Sequence, residues 1–242
     1  MDDSFAPRLI LASASPRRRE LLGLLGLPFE VRAAGVAEQP GQGEAPETYV
    51  RRVAGAKAEA VAAALPPAAG RQLIIAADTE VVLDDRIMGK PGGAAEAGAM
   101  LARLRGRRHE VLSAVVALDA ASGRRAETLC RSVVPVRNYS AAELAAYVAS
   151  GDPLDKAGGY AIQHAAFHPV EGFAHCYASV MGLPLCHLSL ALRRLGIQAP
   201  GDVPAACQGF NHYQCPVYAG ILDGRDGGAA VVITGPIRPV TT

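Results

Sequence analysis

From Gln72 to Leu83 the chain is a near-continuous apolar run, and that run limits the fold more than any other stretch. A strand with one wet face alternates apolar and polar residues, whereas one covered on both faces does not. The run therefore predicts an inner strand of a layered α/β sheet, with Asp84-Asp85 making its turn. Asp78 interrupts it, with Thr79 alongside. A carboxylate there costs several kcal/mol unless it is paired or binds a metal. Asp78 thus reads either as a structural tie to a neighbouring loop, or as a general base or divalent-ion ligand. The second reading places it at the strand's C-terminal end, where open α/β sheets take their ligands.

A second feature lies almost at the N-terminus. Leu9 to Ala12 reads as a buried strand, and Ser15-Pro16 as a helix N-cap followed by proline at the first helical position. The helix expected over Arg17 to Leu25 aims its free N–H groups and positive dipole end at the strand tip. Such an end receives phosphate. Ser13 and Ser15 add hydroxyls, and Arg17, Arg18 and Arg19 add planar forks suited to phosphate oxygens. Cations are unfavourable at a helix N-terminus, so three arginines there ask for a compensating anion.

Elsewhere the pattern alternates between strands and helices. Strands are expected over Pro28 to Val31, Val111 to Leu118, Thr128 to Val136 and Tyr160 to Ile162. Helices are expected over Glu47 to Leu65, Glu96 to Leu104 and Pro184 to Leu195, and over Ala141 to Ala149 behind a Ser140–Glu143 capping box. Beyond about Pro200 glycine, proline and isolated polar residues take over, apart from an apolar patch at Ala229 to Ile233. That tail reads as an appendage, weakly ordered or packed as an extra hairpin.

The chain has 242 residues and a formal charge of +1, so it has no global basic field for nucleic acid. Its basic groups are local, which favours a small anionic ligand. An acidic opening, Met1-Asp2-Asp3, and a very short first apolar run argue against a secretory leader, and no stretch is long enough to span a bilayer. Five cysteines without CxxC spacing suit a reduced, cytoplasmic protein. P-loop, GxGxxG, HExxH and GxSxG motifs are absent. His164, His168 and His175 cluster in sequence, but a zinc site needs further convergent donors. Only three lysines occur, Lys57, Lys90 and Lys156. A solvated Lys57 is the default on its alanine-rich helix, Lys90 is extended before Pro91, and Lys156 sits in a turn-rich polar loop.

Taken in order, these residues resemble the Maf family of nucleotide pyrophosphatases. The likeness begins with Leu11-Ala12-Ser13-Ala14-Ser15-Pro16-Arg17-Arg18-Arg19-Glu20-Leu21-Leu22. It continues through Ala77-Asp78-Thr79, Gly89-Lys90-Pro91, Gly106 to Val111, Asp155 to Gln163, and Met181-Gly182-Leu183-Pro184-Leu185. It spans roughly residues 8 to 198, leaving residues 199–242 as an appendage to a 1–198 domain. Ala37 stands where an acid is common, and His164 follows Gln163 where glycine is usual.

The resemblance implies a mixed twisted sheet of the Maf/ITPase-like kind, flanked by helices, with a cleft between two lobes. It implies hydrolysis of a nucleoside triphosphate to monophosphate and pyrophosphate with a divalent cation, Mg²⁺ or Mn²⁺. It also brings an association with restraint of cell division, and it admits an isologous homodimer. By position Asp78 takes the proton-acceptor role, and Glu38 joins it as a metal-associated acid. Ser13, Arg17, Arg18, Lys57 and Lys90 match phosphate-handling positions; Arg17, Thr79 and Gln163 match positions linked to base selection. The Asp155-to-Gln163 pattern favours dTTP and UTP. The competing readings are a 7-methyl-GTP or broad-specificity pyrophosphatase and a non-catalytic nucleotide-binding division regulator. Neither nucleic acid nor membrane is expected as a partner.

Overall fold

The computed structural model describes residues 7–66, 70–225 and 231–235. Seven strands form one sheet among the described residues. At its centre lies β3 (Gln72–Leu83), the apolar run, with the expected bounds. On one edge β3 pairs in parallel with β1 (Arg8–Leu11), which in turn carries β2 (Phe29–Val31). On the other edge β5 (Arg108–Asp119) and β6 (Arg125–Pro135) follow as long antiparallel neighbours. The two-residue β4 (Arg86–Ile87) folds back on β3 through Asp84 and Asp85, both left-handed, as a tight hairpin turn of this kind requires.

Both faces of β3 are covered, as the lack of alternation implies. One face packs Ile74 and Ala76 against Val53, Ala54 and Ala58 of α2 (Pro46–Ala64). The other packs Leu73, Ile75 and Ala77 with Leu21 and Leu22 of α1 (Pro16–Gly23) and with two later helices, α5 (Tyr177–Met181) and α6 (Leu185–Arg194). A second lobe gathers around the far end of β3. There Val81 and Leu83 meet α3 (Ala94–Leu104) and α4 (Ala141–Ala149). The Ser140–Glu143 capping box is formed, with both reciprocal hydrogen bonds in place.

Two expectations are corrected. Tyr160 to Ile162 is not a strand. Gly158 and Gly159 both take positive φ just before it, and the Ala161 N–H donates to the Tyr147 hydroxyl at 3.0 Å rather than to a ladder. The tail is not a hairpin. It forms α7 (Val203–Asn211) and α8 (Tyr218–Leu222), which bury Val203 and Ile221 against the core, and then β7 (Val232–Thr234), which pairs with β6. Ala229 and Ala230 lie outside the described residues. No helix among the described residues is long and apolar enough to cross a membrane.

Candidate active site

The site exists because β3 has an unpaired edge in its middle. On that edge β1 stops at Leu11, opposite Ile75, and β4 resumes pairing only at Val82. Between those points the strand edge opens into a cleft of about 610 Å³ lined by both lobes. Asp78 therefore sits mid-strand rather than at the strand's C-terminal end; what ends beside it is the pairing with β1.

Period-two alternation puts Asp78 on the face that meets α2, where Lys57 waits. Lys57 Nζ donates to Asp78 Oδ1 at 2.7 Å and pairs with Glu38 at 2.8 Å. Lys57 is 7 % exposed, so the solvated lysine expected on this helix is instead a buried counter-ion. Asp78 Oδ2 is buried without a hydrogen-bond partner. Burial is the largest single influence on Glu38 and raises its pKa, but the Lys57 hydrogen bond and the charges of Lys57, Lys90 and Arg18 together leave it lowered.

The opposite wall comes from the strand-to-helix turn. Ser15 caps α1, its side chain accepting from the Arg18 N–H, with Pro16 at the first helical position. Ser13, Arg17 and Arg18 line the cleft, whereas Arg19 is exposed and lies outside it. Arg18 is held in place by Nε–H donation to the Gly182 carbonyl at 2.9 Å, with Ser13 and Thr79 each 3.4 Å from its other nitrogens. Burial lowers its pKa, opposed by the charges of Asp78 and Glu38. Lys90, Thr79 and Gln163 also line it, so every residue to which the family resemblance gives a role borders this one cleft. His164 does not: its ring packs edge-on against Tyr147, and its Nδ1 accepts from the Phe167 N–H at 2.9 Å.

Two cleft residues were not singled out or were misplaced. Lys156 is buried, not solvated, and donates to Asp152 and Asp155. Glu80 shares the Asp78 face two residues on, a position that period-two spacing alone would have flagged. Burial, and then the nearby Asp78 charge, push its pKa up to about 8. Because that pKa is higher folded than unfolded, its contribution to stability is complete below about 4.5 and is lost as pH climbs through about 8. Glu80→Gln is therefore expected to hold its melting temperature between pH 5 and 9, in chelator, better than the native chain does. Parallel melting curves for the two proteins would refute this.

An open mixed sheet with a half-unpaired central strand, a basic turn on one side and buried acids on the other defines an α/β protein built around a small polyanion. Residues 8–195 match the family model described as Maf-like protein, and the chain belongs to the Maf family. It is 50% identical over 194 residues to the dTTP/UTP pyrophosphatase of Methylococcus capsulatus, covering 78% of this chain and 92% of that protein. The dTTP/UTP pyrophosphatase of Myxococcus xanthus is 47% identical over 193 residues, covering 79% and 94%. That of Anaeromyxobacter dehalogenans is 45% identical over 201 residues, covering 82% of this chain and all of its own length.

Proposed function

We infer that this protein hydrolyses dTTP and UTP to the monophosphate and pyrophosphate. The observation that carries the reading is Asp78: a buried carboxylate on the cleft floor, one oxygen committed to Lys57 and the other, Oδ2, unpartnered. A water brought within about 3 Å of Oδ2 can lose its proton there as its oxygen attacks the α-phosphorus. The bond to the β-phosphate bridging oxygen breaks, and pyrophosphate leaves. Arg17, Arg18 and Lys90 set fixed positive charge along the cleft, and the α1 N-terminus adds N–H donors for phosphate oxygens.

A divalent cation, Mg²⁺ or Mn²⁺, belongs to the same proposal. The donors fit it: Asp78 and Glu38 set two carboxylates against the single Lys57 ammonium, leaving a negative charge for a cation to balance. Those two carboxylates would hold the ion, which when bound neutralises phosphate charge. Base selection is assigned to Arg17, Thr79 and Gln163, all at the cleft wall. The relatives named for dTTP and UTP support that choice of base. A cytoplasmic nucleotide pool is the setting this activity requires.

Pyrophosphate release is to be measured from dTTP, UTP, CTP, 7-methyl-GTP and the common purine triphosphates, with Mg²⁺ or Mn²⁺ and with chelator. Metal-dependent release led by dTTP and UTP is the expected result. Release led by another base would keep the chemistry and overturn the selectivity; nucleotide binding without release would favour the regulator. The tail is expected to matter for stability only. Deleting residues 200–242 uncovers the α6 surface around Cys186 and Leu190, and should lower the melting temperature by several degrees while leaving low-temperature turnover nearly unchanged. A deletion variant that does not fold would contradict this.

A further inference from the structure

Behind Thr79 a chain of buried hydroxyls leaves little freedom in where protons sit. Thr79 Oγ1 lies 2.8 Å from Ser113 Oγ, and Ser113 Oγ lies 2.7 Å from the Ser179 carbonyl oxygen. Ser113 is fully buried on β5, directly opposite Thr79 in the ladder. A carbonyl oxygen can only accept, and two oxygens so close repel unless a hydrogen lies between them. The Ser113 proton is therefore committed to Ser179, and the hydrogen in the 2.8 Å contact must come from Thr79. The alternative acceptor for Thr79, the Gly182 carbonyl at 3.4 Å, also draws the hydrogen into the protein. Ser179 is itself held, its hydroxyl 2.9 Å from that of buried Ser132. Thr79 thus meets the cleft with lone pairs, and Arg18 approaches the same oxygen as a donor at 3.4 Å.

We propose that Ser113 is a positioning residue for base selection: by taking the Thr79 proton it fixes Thr79 as a hydrogen-bond acceptor toward the substrate. This rests on the reading that Thr79 faces the base. A fixed acceptor favours a ring that donates at that point. Uracil and thymine carry an N3–H, whereas cytosine presents a bare N3 that would face the threonine lone pairs. A freely rotating hydroxyl serves either ring, but one tied to Ser113 serves only the donor. Ser113 reaches this outcome without touching the nucleotide.

The test is kcat/KM for UTP and for CTP in the native protein, Ser113→Ala, Ser113→Thr and Thr79→Val. Ser113→Ala is expected to lower the UTP-to-CTP ratio about three- to tenfold, the worth of one net hydrogen bond. Ser113→Thr, which keeps the hydroxyl, is expected to retain the native ratio. In the Thr79→Val background, Ser113→Ala should change the ratio no further. A serine that only supports the fold would lower both nucleotides together with the ratio unmoved, and that result overturns the proposal. If Ser113→Ala does not fold, Ser113→Cys reads the same ratio with a weaker acceptor. A native ratio near one would remove the base-recognition reading itself. A selective native enzyme with an unmoved Ser113→Ala ratio removes only the role of Ser113.

Discussion

Asp78→Asn is expected to yield a folded protein that binds nucleotide but turns it over about 10²- to 10⁴-fold more slowly, the usual worth of a positioned general base. The side chains are isosteric, so the cleft keeps its shape. The amide oxygen can still accept from Lys57, preserving the 2.7 Å contact that ties α2 to β3. What is lost is the basic lone pair at the buried, unpartnered Oδ2 position, which an amide NH₂ cannot replace. Stability should fall less than in a Lys57 variant, because Glu38 still pairs with Lys57 at 2.8 Å and the substitution removes a charge that raises the pKa of Glu80. Turnover, nucleotide affinity by calorimetry and melting temperature separate these effects. Near-native turnover would remove Asp78 from the mechanism, and a large fall in melting temperature would show that its charge is structural first.

Lys57→Met carries the largest expected effect on stability. Lys57 and Asp78 are both buried, their side chains 8% and 5% exposed, and each is the other's compensation. Removing one partner of a buried pair strands the other, at a cost of about 3–5 kcal/mol. In a chain of this size that corresponds to a melting temperature lower by about 10 °C. Methionine keeps most of the length and volume of the lysine stem, so the loss reports charge rather than volume. Glu38 faces water and can turn outward, and it should contribute little. The double variant Asp78→Asn/Lys57→Met is expected to recover much of the lost stability. A single-variant loss below about 1 kcal/mol would mean that water already compensates Asp78. The measurement belongs in chelator, since an added cation would stand in for the ammonium.

The bounds of β3 and the capping-box helix α4 were legible because local chemistry decides them: an apolar run covered on both faces, and two reciprocal hydrogen bonds within one turn. The phosphate-directed turn was legible for the same reason, with Ser15 and Pro16 setting the start of α1 from within four residues of each other and Arg18. The roles assigned to Lys57 and Glu38 came from resemblance alone, since no local pattern distinguishes a buried lysine on an alanine-rich helix from a solvated one.

Tertiary structure decided the rest. That β1 ends opposite Ile75 while pairing with β4 resumes only at Val82 is a matter of strand register, and it opens the edge of β3 into the cleft beside Asp78. Packing turned Lys57 and Lys156 inward, sent His164 to Tyr147, and laid the tail across α6 as helices. The sequence by itself marked the residues that come to line the cleft and most of the helices and strands before the tail, because propensity, capping and periodicity act over a few residues. Which ammonium meets which carboxylate, and which hydroxyl must give up its proton, depended on three-dimensional neighbours, because Coulomb and hydrogen-bond energies are set by distances that the linear order does not contain.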